Sequence, residues 1–167
     1  KNEESYLNPF DYQNLLFKQL FNTSKDIYKP VTYSVTKKND SNTEINLNTS
    51  NYKNMVYYGF VPWTSESGSY IYNGKDMITK YACWLSPTAF HIETDSSKTK
   101  LRVESADSNF NYDNAYFYAL DLNVLDECAQ TARKNEVNIS MKNGSIDTTV
   151  KAEDEDSYLY LSVPVDD

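Results

Sequence analysis

The sequence predicts a mainly β protein, α+β if its helices are counted: an antiparallel β-sandwich or open barrel with two short helices packed on it. Three observations predict it. Two Asn-Gly pairs, Asn73-Gly74 and Asn143-Gly144, each stand between runs rich in β-branched or aromatic residues, the strongest short-range hairpin signal. Short alternating segments are joined by polar turns, with no regular strand–helix alternation. Only two segments combine helical periodicity with capping residues.

In chain order, Lys1 to Asn8 is polar and expected to fray. Pro9 to Phe21 is the first helix: Asn8 caps it, Pro9 suits the first helical position and Asp11 suits the positive end of the dipole. Phe10, Leu16, Phe17, Leu20 and Phe21 make its apolar side, expected to pack on a sheet. A membrane-surface helix would be basic on its polar side, and this one carries only Lys18 there. Val31 to Lys37 and Glu44 to Asn48 alternate as half-buried strands around a polar turn. Met55 to Val61 is more continuously apolar, a central strand in which Gly59 marks a bulge or a close backbone approach.

A loop from Pro62 to Gly68 carries Trp63. The hairpin around Asn73-Gly74 is read as a type I′ turn with Tyr72 opposite Lys75 and Tyr70 opposite Met77. Ala89 to Thr94 is a short strand with Phe90 and Ile92 on one side and His91 on the other, and Thr99 to Glu104 is a strand with a charged outer face. Ser105 to Asn114 has no period and holds Phe110 and Tyr112 among acids and amides. Ala115 to Leu122 is a buried strand. Asn123 to Lys134 is the second helix, with Asn123 as N-cap, Asp126 three residues on, and an inward Cys128. Around Asn143-Gly144, Met141 falls opposite Ile146, Ile139 opposite Thr148 and Val137 opposite Val150. Glu153 to Asp156 is an acidic turn, and Ser157 to Val165 a last strand.

The 167 residues make one domain the default. A net charge of −8 excludes a basic footprint for nucleic acid and disfavours an electrostatic grip on anionic lipid, while it suits a basic partner. No run is long enough to span a bilayer, so no membrane insertion is expected. The chain opens on Lys1 without a Met and reads as trimmed, any targeting segment already removed. Cys83 and Cys128 are too far apart for a redox or zinc motif and are expected to form one disulfide, pointing to export. Five Asn-x-Ser/Thr sequons, at Asn22, Asn39, Asn48, Asn138 and Asn143, are compatible with that compartment.

Catalytic motifs are missing. His91 is the only histidine, no G-x-S-x-G surrounds a serine, and neither Glu153–Asp156 nor the Asp107–Asp113 loop follows the EF-hand pattern. No catalytic residue, metal or cofactor is therefore assigned. The aromatic residues on polar loops, Trp63, Phe110 and Tyr112, are the ligand-binding candidates, because exposed aromatic rings anchor peptides and stack on sugars. The expected function is a secreted or cell-surface non-enzymatic binding domain recognising another protein, such as a microbial or viral host-interaction factor capturing a basic partner. The alternatives are a carbohydrate-binding module and a small carboxylate-dependent hydrolase.

Overall fold

The computed structural model describes residues 8–39, 41–61, 69–81, 88–105, 114–134, 139–142 and 145–149. The chain runs through α1 (Pro9–Phe21), β1 (Tyr28–Pro30), β2 (Tyr33–Lys37), β3 (Asn42–Asn48), a 3-10 turn (Tyr52–Asn54), β4 (Met55–Phe60), β5 (Ser69–Asn73) and β6 (Asp76–Tyr81). It continues with β7 (Phe90–Ile92), β8 (Lys98–Ser105), β9 (Tyr116–Asp121), α2 (Leu122–Lys134), β10 (Ile139–Lys142) and β11 (Ser145–Thr148). Contacts divide it into two compact units, Lys1–Ala129 and Gln130–Asp167.

In the first unit, a four-stranded sheet in the order β1-β9-β4-β7 faces a five-stranded sheet in the order β2-β3-β8-β5-β6. Every pairing is antiparallel. The fold is thus mainly β, two antiparallel sheets with helices added. The core lies between the sheets. Ile45, Leu47, Ile71, Leu101 and Val103 come from the five-stranded sheet, and Tyr57, Phe90, Ile92, Phe117 and Ala119 from the four-stranded one. These residues alternate along their strands, which is why the outer face of each strand is left for other side chains.

Gly59 shows how tightly β4 sits. A Cβ at this position would lie 2.7 Å from the Phe117 ring and 2.9 Å from that of Phe90, so only glycine lets the strand pass between them.

α1 forms as its sequence dictates. The Asn8 side chain accepts from the amides of Phe10 and Asp11, and Asn22 closes the helix in the left-handed region at φ 46°. Phe10 packs on Tyr28 and Tyr118 on the outer face of the four-stranded sheet. Asn14, one turn on, donates to the Tyr28 carbonyl and accepts from the Tyr28 amide, both at 2.8 Å, and so fixes α1 to β1. Leu16 and Leu20, expected on the packed side, are 36% and 41% exposed, because the packed stripe runs through Phe10, Asn14, Phe17 and Phe21 instead.

α2 begins at Leu122, one residue earlier than expected. Its first turn is held by the side chain of Asp121, which accepts from the amides of Asn123 and Val124, rather than by Asn123. Burial alone would raise the carboxyl pKa of Asp121. The Lys29 ammonium at 2.6 Å and the two amides outweigh burial and hold it below the ordinary aspartate value.

Two further expectations are corrected. The β5–β6 loop is Gly74–Lys75, flanked by Asn73 opposite Asp76 and Tyr72 opposite Met77, with a bulge after Ile71. Gly74 alone takes a positive φ, 61°, which fits a type II′ turn and not the I′ turn expected from Asn73-Gly74. No disulfide is present among the described residues: Cys128 is a buried free thiol packed with Ile27 and Val124, and Cys83 lies outside them.

In the second unit, β10 and β11 pair as a hairpin with Ile139 opposite Thr148 and Met141 opposite Ile146, the register the sequence predicts. Residues 1–7, Val137, Val150, Glu153–Asp156 and the strand expected over 157–165 lie outside the described residues.

Candidate functional site

Among the described residues, a concavity lies where β7 and the β5–β6 turn approach the start of β4. β7 is, among the described residues, an edge strand, paired to β4 through Tyr57–Ile92, Tyr58–His91 and Gly59–Phe90. Alternation buries Phe90 and Ile92 and turns His91 outward. The Asn73 side-chain amide donates to the Glu93 carbonyl and ties the turn to the end of β7.

The resulting cavity is about 560 Å³, with Met55, Val56, Tyr57 and Ile92 beneath and Asp76, His91, Glu93 and Asp95 around it. Its lining is as polar as it is apolar and it opens widely to solvent, which suits contact with a side chain more than enclosure of a small ligand. Burial raises the phenol pKa of Tyr57, partly offset by its hydrogen bond with the Asn51 backbone, so the phenol stays neutral. Among the described residues no group of three His, Cys, Asp or Glu is arranged to hold a metal ion. The rim is acidic, and the chemistry it favours is attraction of a cation such as an ammonium or guanidinium group.

A second feature is the aromatic outer face of the four-stranded sheet. Phe60 and Tyr116 stack at 4.7 Å with their planes 9° apart, and Tyr58 stands edge-on to His91 at 5.8 Å. Both stacked rings are half-buried. Burial raises the phenol pKa of Tyr116 and Tyr118.

The predicted ligand-binding residues Trp63, Phe110 and Tyr112 lie outside the described residues. Phe60, before the Trp63 segment, and Tyr116, after the Phe110–Tyr112 segment, are direct partners across β4 and β9. The chain therefore leaves β4 and enters β9 at the same end of the sheet.

Sequence reasoning placed His91 on the outside of its strand but missed Asp76, Glu93 and Asp95 as its neighbours. Glu93 and Asp95 follow His91 closely in the chain, but Asp76 comes from the other sheet and is brought beside them only by the stacking of the two sheets. It also missed Asn14, whose signal was available: a lone amide within the stripe Phe10, Phe17 and Phe21.

No helix among the described residues is long and apolar enough to cross a membrane. The family model described as "Bacterial membrane protein YfhO" matches residues 1–167. No curated protein and no solved structure matches the chain. The family match overturns the expected secreted or cell-surface binding domain, its microbial or viral host-interaction role and its export. The arguments for export were the cysteine count, the sequons and the missing Met, and none of them reports how a chain is attached to a membrane. With the match running the length of the sequence, the chain belongs to the YfhO family of bacterial membrane proteins.

Proposed function

We propose that the chain is a water-facing β domain of a bacterial membrane protein and meets a polypeptide partner at the acidic cavity beside β7. The observation that carries this reading is the outer face of β8. Lys98, Lys100, Arg102 and Glu104 point away from the core between buried Thr99, Leu101, Val103 and Ser105. A strand wall in lipid presents apolar side chains outward, and each lysine or arginine at the bilayer midplane would cost about 2–4 kcal/mol. A mean hydropathy of −0.68 agrees with a domain bathed in water.

At the cavity, Asp76, Glu93 and Asp95 supply charge for a lysine or arginine side chain of the partner, and the half-buried Met55 and Val56 supply apolar contact for its stem. Trp63, Phe110 and Tyr112 are proposed as ligand-binding residues on the grounds of sequence alone.

Fractionation tests the placement. In bacteria carrying the protein, an antibody to this chain is expected to find it in the membrane pellet, and protease added to the exposed side of sealed membranes is expected to remove it. Recovery from the culture medium or the soluble fraction refutes the reading. For the partner, carbodiimide coupling of carboxylates to amines is expected to give a cross-linked species that D76N/E93Q/D95N loses. Equal cross-linking of that variant refutes the cavity as the contact.

A further inference from the structure

The outer face of the five-stranded sheet carries charge opposite to that of the chain as a whole. Lys38, Lys80, Lys98, Lys100 and Arg102 lie on it against Glu44 and Glu104, on a protein of net charge −8. The antiparallel register arranges these side chains in rows. Ser34, Asn46 and Lys100 stand side by side, then Thr36, Glu44, Arg102 and Tyr72, and Asn48 lies next to Lys98.

Cations outnumber acids on this face among the described residues: Arg102 pairs with Glu104, and one further carboxylate, that of Glu44, serves two lysines. The Arg102 guanidinium lies 4.0 Å from the centre of the Tyr72 ring, and the Lys80 ammonium 5.2 Å from that of Tyr70. Lys38 and Lys100 share one carboxylate, that of Glu44, each at 3.6 Å. Lys98 makes no ion pair among the described residues. A groove of about 600 Å³ runs past Lys98 and Lys100 and is lined by Thr32, Ser34, Asn46 and Asn48. Tyr33 and Leu47 also line it, so the groove is partly apolar; the two ammonium groups, with the Thr32 and Ser34 hydroxyls and the Asn46 and Asn48 amides, supply donors for the oxygens of a phosphate.

We propose that this face rests on the anionic headgroups of the bacterial membrane, with a lipid phosphate seated in the groove between Lys98 and Lys100. Family membership puts a phosphate-bearing surface within reach of the chain, and a charged, open sheet face matches an extended anionic one. The net charge does not oppose this. Stacked sheets are about 10 Å apart, and the Debye length is about 10 Å at 0.1 M salt. A charge more than one sheet spacing away is therefore attenuated at the headgroups, and the near face acts there chiefly through its own cations. The inference rests on the water-facing reading above and adds the side of the domain that is turned to the bilayer.

The test is co-sedimentation of the 167-residue chain with vesicles at millimolar lipid. Vesicles of phosphatidylglycerol in phosphatidylcholine are compared with phosphatidylcholine alone, in about 0.1 M salt. Binding to the anionic vesicles only, and its loss at high salt, is expected. K98Q/K100Q should weaken binding about thirtyfold, from about fivefold for each surface lysine. K53Q, which alters an exposed lysine of the 3-10 turn, should bind as the wild type does. Unchanged far-UV circular dichroism and an unchanged urea midpoint establish that the variants are folded.

Absence of binding to anionic vesicles overturns the proposal, as does equal binding to both vesicle types or full binding by K98Q/K100Q. Binding of soluble polyphosphate without vesicle binding also overturns it, by assigning the groove to a free anion. A negative result here leaves the membrane-pellet fractionation to decide the water-facing reading on its own.

Discussion

Alanine at Gly59 probes the packing between the sheets most directly. Its Cβ would fall 2.7 and 2.8 Å from two atoms of the Phe117 ring and 2.9 Å from Phe90. Both rings are buried in the core between the sheets, Phe117 at 2% exposure, so neither has open space to turn into. Overpacking of this kind costs about 1–3 kcal/mol. Against it stands about 0.4–1 kcal/mol from the lower entropy of an unfolded chain with alanine in place of glycine.

The balance is a loss of about 1–2 kcal/mol, which lowers the melting temperature by about 2–8 °C for a chain of this size. Thermal and urea melts followed by far-UV circular dichroism measure it. The cause is isolated by adding Phe117→Leu, which removes the ring atoms nearest to the new methyl. Gly59→Ala should cost less in that background than in the wild type, with a coupling of about 0.5–3 kcal/mol. A G59A chain as stable as the wild type, or the same penalty with and without the Phe117 ring, would refute the close approach as the reason for the glycine.

Asp121→Asn removes a charged helix cap and the acceptor of Lys29, and should cost about 1–2 kcal/mol at neutral pH in urea melts. Because the folded-state pKa of Asp121 is depressed, its contribution is complete above the unfolded-state value and is lost as pH falls through the folded one. The stability gap between wild type and D121N should therefore hold from pH 7 to about 4 and close below that; a gap that persists into strong acid contradicts the assignment. Cys128 should resist iodoacetamide in the folded chain, since burial first and the neighbouring Glu127 charge second raise its thiol pKa, only partly offset by Lys25. It should react once the chain is unfolded without reductant, and a requirement for reductant, read by intact mass, would show a disulfide after all.

What was legible in the sequence was whatever local chemistry decides. α1 starts at Pro9 and ends at Phe21 because Asn8, Pro9 and Asn22 each satisfy or end the backbone ladder within a few residues. β10 and β11 pair in the predicted register because turn and alternation agree. Gly59 stood out because a glycine inside an apolar strand needs a steric reason, and two phenyl rings supply it.

Where a distant partner intervenes, local reading fails. Asn73 looked like a turn residue but stays in β5, where its side chain reaches the Glu93 carbonyl twenty residues on. Asp121 caps α2 in place of Asn123, and Lys29 on the neighbouring strand β1 completes its bonding. The cavity drew its residues from β4, the β5–β6 turn and the stretch after β7. Each of these contributed unremarkable side chains that no motif could connect.

Net charge is silent about any one face for a related reason. A total of −8 is a scalar, and the argument it gave against anionic lipid assumed that the charge is spread evenly. A strand sorts side chains by parity, and pairing sorts them again by register. In β8, Lys98, Lys100 and Arg102 share a parity and therefore a face, and the partners that register sets beside them, Asn48, Asn46 and Glu44, include a single acid. The alternation Lys100-Leu101-Arg102-Val103 was visible in the sequence as a strand with a charged outer face. Its neighbours across the sheet were not, because β3 and β5 lie far from it in the chain, and the sum of charge on a face depends on which strands share it. The sign of a protein's surface toward a membrane is therefore a property of the sheet order.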